Sequence, residues 1–299
     1  MTKRVFLFIA VNILVVVSIS LTLNVLGLHS YLTEYGINYK ALLIFCSFFG
    51  FLGAFISLAM SRFAAKTFMG VQVILPDEPM SHEEQFLLNT VYRFAQDCGI
   101  TTMPEVGIYP SNEVNAFATG PGKNSALVAV SKGLLQRMDK KAIEGVLAHE
   151  MAHIANGDMV TMTLIQGIVN TFVMFFARIA AWVVANAIQG DKENRGVSYL
   201  MVSLLTFVFE IFLSILGSIL VAFFSRIREY KADHIGAQLA GTQKMIYALE
   251  CLKQTIKLID PAQPSIASLK ISGNSSKLMR LLATHPDLED RIARLKNLE

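Results

Sequence analysis

The sequence predicts an integral membrane protein, mainly α-helical with a small antiparallel β-sheet, in which four transmembrane helices carry a domain built from two chain segments. Three observations predict it. Of 299 residues, 53% are hydrophobic and only 16% charged, against roughly 25% charged in a soluble domain. Residues 5–28, 41–60, 163–188 and 198–224 are each apolar over the length needed to cross a bilayer, which takes about 20 helical residues. The remaining stretches, 61–162 and 225–299, switch to amphipathic and alternating patterns. The expected organisation is therefore an N-terminal pair of spans in 1–60, a first domain segment in 61–162, a second helical hairpin in 163–224 and a second domain segment in 225–299.

The first span follows Lys3 and Arg4. It exceeds the roughly 7–15 apolar residues of a secretory signal and reads as a retained anchor. Basic residues also follow the second span, at Arg62 and Lys66, whereas the loop 29–40 balances one lysine against one glutamate. The positive-inside rule then puts the N-terminus in the cytoplasm, and four spans return the C-terminus to the same side. The third span carries Arg178 and the fourth Glu210. Ionisable groups at such depth face protein or a water-filled cavity, so these either pair helices or mark a path.

In the first domain segment, Ser81 and Glu84 form a capping-box pattern ahead of Leu87, Val91, Phe94, Ala95 and Cys98 on one helical face. Short extended runs follow at 105–109, 114–118 and 126–131, with a turn over 120–124. Gly122-Lys123 is no phosphate loop, because Phe117 and Asn124 replace the first glycine and the hydroxyl residue of that motif. Asp139 is a good N-cap for a helix through "KKAIEGVLAHEMAHIANGDM". After the fourth span, Ile227, Tyr230, Ile235 and Leu239 resume helical spacing.

His149 and His153 stand one turn apart on that helix, so two imidazoles can meet one ion, and Glu150 lies one position round, within reach of a water. This is H-E-x-x-H, the spacing of a zinc site with a general base, and it points to a zincin-like cytoplasmic domain. A catalytic zinc needs a third protein ligand. The extension H-x-x-G-x-x-H fails, since Asn156 and Met159 occupy its glycine and histidine positions. Among Glu229, Asp233, His234, His285 and His82, Glu229 has the best claim. It leaves the fourth span just as the His149 helix approaches the third, and the two ends of a hairpin are neighbours. Asp233, one turn on, is placed to accept a hydrogen bond from a ligand imidazole. Cys46, Cys98 and Cys251 contain no C-x-x-C pair and offer neither a thiolate zinc site nor a disulfide framework. A net charge of +3 is too small to indicate a nucleic-acid partner, and its basic residues sit at membrane flanks, so none is expected.

With "NAFATG", "HEMAHIANGDMVTMTLIQG", "SRIREYKAD" and "THPDLEDRIARL" in place, nearly the whole chain resembles the HtpX-type membrane-bound zinc endopeptidases, relatives of the eukaryotic CAAX prenyl proteases. The resemblance implies one Zn2+ per chain held by His149, His153 and Glu229, with Glu150 as catalytic base and Asp233 in support. It also implies that Asn115 and Ala116 belong to an edge strand receiving substrate, and that His285 and Arg291 stand near the reacting carbonyl. Thr284-His285-Pro286-Asp287 departs from relatives that carry a second proline. The implied setting is a bacterial inner membrane with the active site and both termini cytoplasmic. The implied partners are the bilayer and misfolded or damaged membrane proteins, cut in stress-responsive quality control.

The chemistry agrees: zinc acidifies water to a pKa near 7, Glu150 takes the proton, and His285 or Arg291 can donate to the oxyanion. An extended peptide added to the strand at 114–118 would favour unfolded substrate over a particular sequence. Two other readings compete. A prenyl-protein protease would need a chamber for a lipidated tail, which four spans are too few to enclose. A pore or transporter with a structural or regulatory zinc would need four protein ligands and have no use for Glu150.

Overall fold

A computed structural model describes residues 32–33, 36–189, 199–258 and 283–298. The chain divides into two compact units, residues 1–50 with 168–215, and 51–167 with 216–299. Among the described residues three helices are long and apolar enough to cross a membrane. They are α1 (Tyr39–Phe68), α5 (Asp158–Gln189) and α6 (Tyr199–Ala240). They contain the predicted second and third spans and the fourth from Tyr199 onward; the predicted first span, 5–28, lies outside the described residues. No proline interrupts 61–68 or 225–240, so α1 and α6 run on past their apolar stretches until Gly70 and Gly241, both at positive φ. Thus α6, with 42 residues, is roughly 60 Å long at 1.5 Å per residue, about twice a bilayer core.

In the first unit, strands β1 (Leu32–Thr33) and β2 (Gly36–Ile37) make a two-residue ladder ahead of α1. Leu42, Phe45 and Cys46 are buried there against Met174, Phe175 and Ile179. Arg178 Nη1 lies 2.8 Å from Glu210 Oε1 and donates to the Met174 carbonyl at 3.0 Å, while its guanidinium sits over the Phe45 ring. The two ionisable groups of the third and fourth spans are therefore each other's partners, which answers the cost of burying either alone.

The second unit holds a four-stranded sheet of β3 (Gln72–Val73), β4 (Glu105–Tyr109), β5 (Ala116–Gly122) and β6 (Ser125–Ser131), in the order β3-β4-β6-β5. The expected antiparallel sheet is corrected to a mixed one, because β4 and β6 run parallel. Three consecutive extended runs read as successive hairpins, but the chain after β4 passes to the far edge before β5 begins, leaving β6 to pair between them. The hairpin turn also narrows to Lys123-Asn124, since β5 continues through Gly120 across a register shift between Thr119 and Gly122. Gly120 has φ +140°, and a Cβ there would collide with the Ser125 carbonyl.

Helix α2 (His82–Asp97) starts with the predicted capping box. Glu84 N donates to Ser81 Oγ at 3.2 Å, and Ser81 N donates back to Glu84 Oε2 at 2.8 Å. Its buried face, with Leu87, Val91 and Phe94, packs in one core with Val128 and Val130 of β6 and with Leu147 and Met151 of α4 (Lys140–Asn156). Leu127 and Ala129 face the other side of β6, with Val71 and Tyr109. Beneath α1, Glu105 is bonded by Arg62 at 2.6 Å and Lys66 at 2.8 Å, so basic residues that mark the membrane flank also tie α1 to the sheet. Helix α3 (Lys132–Arg137) follows β6 directly, and α7 (Thr242–Leu258) and α8 (Leu288–Lys296) close the core over α4.

Candidate metal centre and active site

Helix α4 begins where Asp139 accepts from Ala142 N at 2.8 Å and ends at Gly157, whose φ of +68° is left-handed. Its interior is packed on the core by Ile143, Leu147, Met151 and Ile154. That packing fixes the rotation of the helix and directs both histidines of its motif at α6. His149 Nε2 and His153 Nε2 lie 3.2 Å apart, with Glu229 Oε2 3.4 Å from the first and Glu229 Oε1 3.3 Å from the second. Ligands about 2.0–2.1 Å from a tetrahedral zinc stand about 3.3 Å from one another. These three side chains are therefore spaced to hold such an ion, and they are the group of possible metal ligands among the described residues. Glu229 is fully buried, and a charge so placed needs partners.

The outer nitrogens are held as well. His149 Nδ1 is 3.0 Å from Asp233 Oδ1, and His153 Nδ1 is 2.6 Å from Asp158 Oδ2. With a carboxylate facing each Nδ1, a ring that ligates a metal through Nε2 would keep its proton on Nδ1. Burial opposes charging His153, but the bonds from Asp158 and Glu229 outweigh it and push its pKa up to about 9. His149 is also raised: burial and Arg291 oppose, and Asp233 and Glu229 prevail. Three carboxylates, Asp158, Glu229 and Asp233, thus surround the two imidazoles and make the pocket one that favours positive charge.

Arg291, from α8, grips Asp233 with two bonds, Nε to Oδ2 at 2.7 Å and Nη2 to Oδ1 at 2.6 Å. Its Nη1 lies 3.7 Å from Glu229 Oε2. His285 Nδ1 stands 2.8 Å from the same oxygen, although 59% of its side chain is exposed. Glu150, half-buried beside His149, lines a cleft of about 650 Å³ together with Asn115, Ala116, Glu229, His285 and Arg291. Asn115 directly precedes the edge strand β5. The buried Ser131 hydroxyl accepts from its N–H at 3.1 Å, and Ser131 N donates to its carbonyl at 2.9 Å. His149, Glu150, Glu229, His285, Arg291, Asn115 and Ala116 thus line one cleft, and His153 and Asp233 adjoin it through Glu229 and His149. His82 and His234, the weaker ligand candidates, are not in the metal-ligand group. Two residues escaped sequence reading. Asp158 reaches His153 because Gly157 turns the chain back, and Arg228 lies 3.3 Å from Glu229 Oε1.

Residues 81–299 match peptidase family M48. The chain belongs to that family. This M48 peptidase is 54% identical over 302 residues to a protease HtpX homolog of Bacillus licheniformis, with 99% of each chain covered. It is 52% identical to the homolog of Bacillus subtilis, with the same coverage. To protease HtpX of Shewanella piezotolerans it is 48% identical, over 98% of this chain and 99% of that one. The crystal structure of S. mikatae Ste24p superposes with a TM-score of 0.59 at 18% identity, covering 93% of this chain and 64% of that one, a likeness of fold alone. The resemblance read from the motifs is borne out, and with its apolar helices this M48 peptidase is a membrane-bound metalloprotease.

Proposed function

We propose that the chain is a zinc endopeptidase of membrane-protein quality control, cutting misfolded, damaged or unfolded proteins at the cytoplasmic face of a bacterial inner membrane. In this reading four spans anchor a catalytic domain made from residues 61–162 and 225–299, and both termini are cytoplasmic. His149, His153 and Glu229 hold one Zn2+. The observation that carries the reading is the triangle of donor atoms 3.2–3.4 Å on a side, with Glu150 on the same helix and in the same cleft.

What zinc supplies in such a ligand set is Lewis acidity, with a water pKa lowered to about 7. Glu150 takes a proton from the attacking water and returns it to the leaving amine. Strand β5 is an edge strand, so an extended peptide can pair with Ala116 through main-chain bonds and lie past Asn115, whose own backbone is bonded to Ser131, a mode that demands unfolded or looped substrate rather than a sequence. His285, exposed at the cleft and 2.8 Å from Glu229 Oε2, is placed to donate toward a developing oxyanion. Arg291 keeps its position through Asp233 and adds positive charge beside Glu229. A pore with a structural zinc finds no support in a peptidase family member carrying a general base next to its histidine pair.

Removal of metal tests the proposal. The purified chain, stripped by a chelator, is expected to lose cleavage of an unfolded protein and to regain it with about one equivalent of zinc. Cleavage that survives complete stripping contradicts it.

A further inference from the structure

Each metal-facing imidazole is backed by a carboxylate, but the two carboxylates come from different places. Asp233 lies on α6, one turn beyond Glu229, and is itself gripped by Arg291. Asp158 is the first residue of α5, the helix that begins where α4 ends, and it is only 6% exposed. Its Oδ2 lies 2.6 Å from His153 Nδ1 and 4.0 Å from Arg228 Nε. Arg228 in turn places Nη2 3.3 Å from Glu229 Oε1, the oxygen that faces His153. Arg228 therefore sets its charge between Asp158 and Glu229, close enough to Asp158 for an ion pair though not for a hydrogen bond.

We infer that Asp158 is a positioning residue for the metal site, fixing the tautomer and aim of His153, and that Arg228 braces Asp158 against Glu229. The inference rests on the zinc reading of His149, His153 and Glu229, and it joins the start of an apolar helix to the metal ligands. Two features support it over a role in capping α5. A charge-assisted bond of 2.6 Å is at the short end of its class. The bond also faces the nitrogen that must carry a proton if Nε2 is to ligate. Gly157 is what makes it possible: its left-handed φ of +68° folds the chain so that residue 158 returns over the ring of residue 153.

The test uses the full-length chain in detergent, as wild type, Asp158→Asn, Asp158→Glu and Arg228→Met. Zinc affinity is measured by competition with a chromophoric chelator at a temperature where each metal-free chain is folded, and the visible spectrum of the cobalt-substituted protein reports ligand geometry. The expected result is a 10–100-fold loss of zinc affinity in Asp158→Asn, the range for losing such a supporting bond, with a shifted cobalt spectrum. Asp158→Glu should recover part of the loss and Arg228→Met should show a smaller one. Unchanged affinity and spectrum in Asp158→Asn, with wild type binding tightly, overturns this inference and leaves the zinc site standing, whatever happens to the melting temperature. A wild-type chain that binds no zinc overturns both.

Discussion

The Nε2 atoms of His149 and His153 lie 3.2 Å apart, one turn apart on the same helix, with their rings at 82° to each other. Glu229 closes the triangle from α6. Glu229→Gln keeps the side chain's shape and removes its charge, so it separates a ligand from a packing residue. Zinc affinity is expected to fall by more than the roughly 10–100-fold cost of losing a supporting bond. Competition with a chelator measures it, and wild-type affinity in the variant would take Glu229 out of the ligand set.

Asn115 exchanges its backbone bonds with β6 through Ser131, so by the alternation of an antiparallel ladder the N–H and C=O of Ala116 point away from β6. That is the side an added strand would use. Ala116→Pro removes this N–H, and an edge strand tolerates proline where no ladder bond is lost. One lost bond of about 1 kcal/mol corresponds to a several-fold drop in kcat/KM on an unfolded protein, with metal content unchanged. Wild-type cleavage by a folded variant would argue against strand addition at β5.

At Gly145 of α4 the backbone of α7 packs close. A Cβ there would stand 2.6 Å from the Lys244 carbonyl oxygen and 2.7 Å from the Ala248 Cβ. In an open helix Gly→Ala would stabilise by about 1 kcal/mol. Here the strain of overpacking, about 1–3 kcal/mol, is expected to win, so Gly145→Ala should melt at a lower temperature than wild type in detergent. A higher melting temperature would mean that the two helices separate easily.

Glu144 ties three helices, bonding Arg93 of α2 at 2.7 Å and Lys244 of α7. Burial works against its charge, but the bonds from Lys244 and Arg93 prevail and hold its carboxyl below the usual range. A depressed folded-state value means that the contribution is fully present above the ordinary pKa of about 4.3 and is lost as pH falls below it. Since Arg93 and Lys244 can return to water, Glu144→Gln is expected to cost about 1 kcal/mol at neutral pH. The gap to wild type should close in acid, followed by thermal unfolding between pH 7 and 3. A gap independent of pH would assign the effect to packing instead.

Much of the site was legible because its determinants are local. The Asp139 cap and the core-facing Ile143, Leu147 and Ile154 fix how α4 rotates, and helical spacing alone then stacks His149 on His153. Glu229 and Asp233 were reachable because the ends of a helical hairpin must be neighbours. The sheet was less legible. Residues 105–109 and 126–131 read correctly as extended, but nothing local states that β6 inserts between β4 and β5, since strand order is decided by which apolar faces find one core. Asp158 was missed because its role depends on the backbone angle of Gly157, where the helix read as continuous through Met159 in fact ends. Arg228 was missed because, beside Glu229, it looks like one more charge on a solvated helix face.

The central claim is that the cleft is a hydrolytic metal centre with Glu150 as its base. The most direct measurement compares zinc content and cleavage of an unfolded protein in wild type and Glu150→Gln. The account predicts about one zinc per chain in both, with cleavage reduced by the roughly 10²–10⁴-fold that general-base catalysis contributes. Equal cleavage by the two zinc-loaded proteins would contradict it.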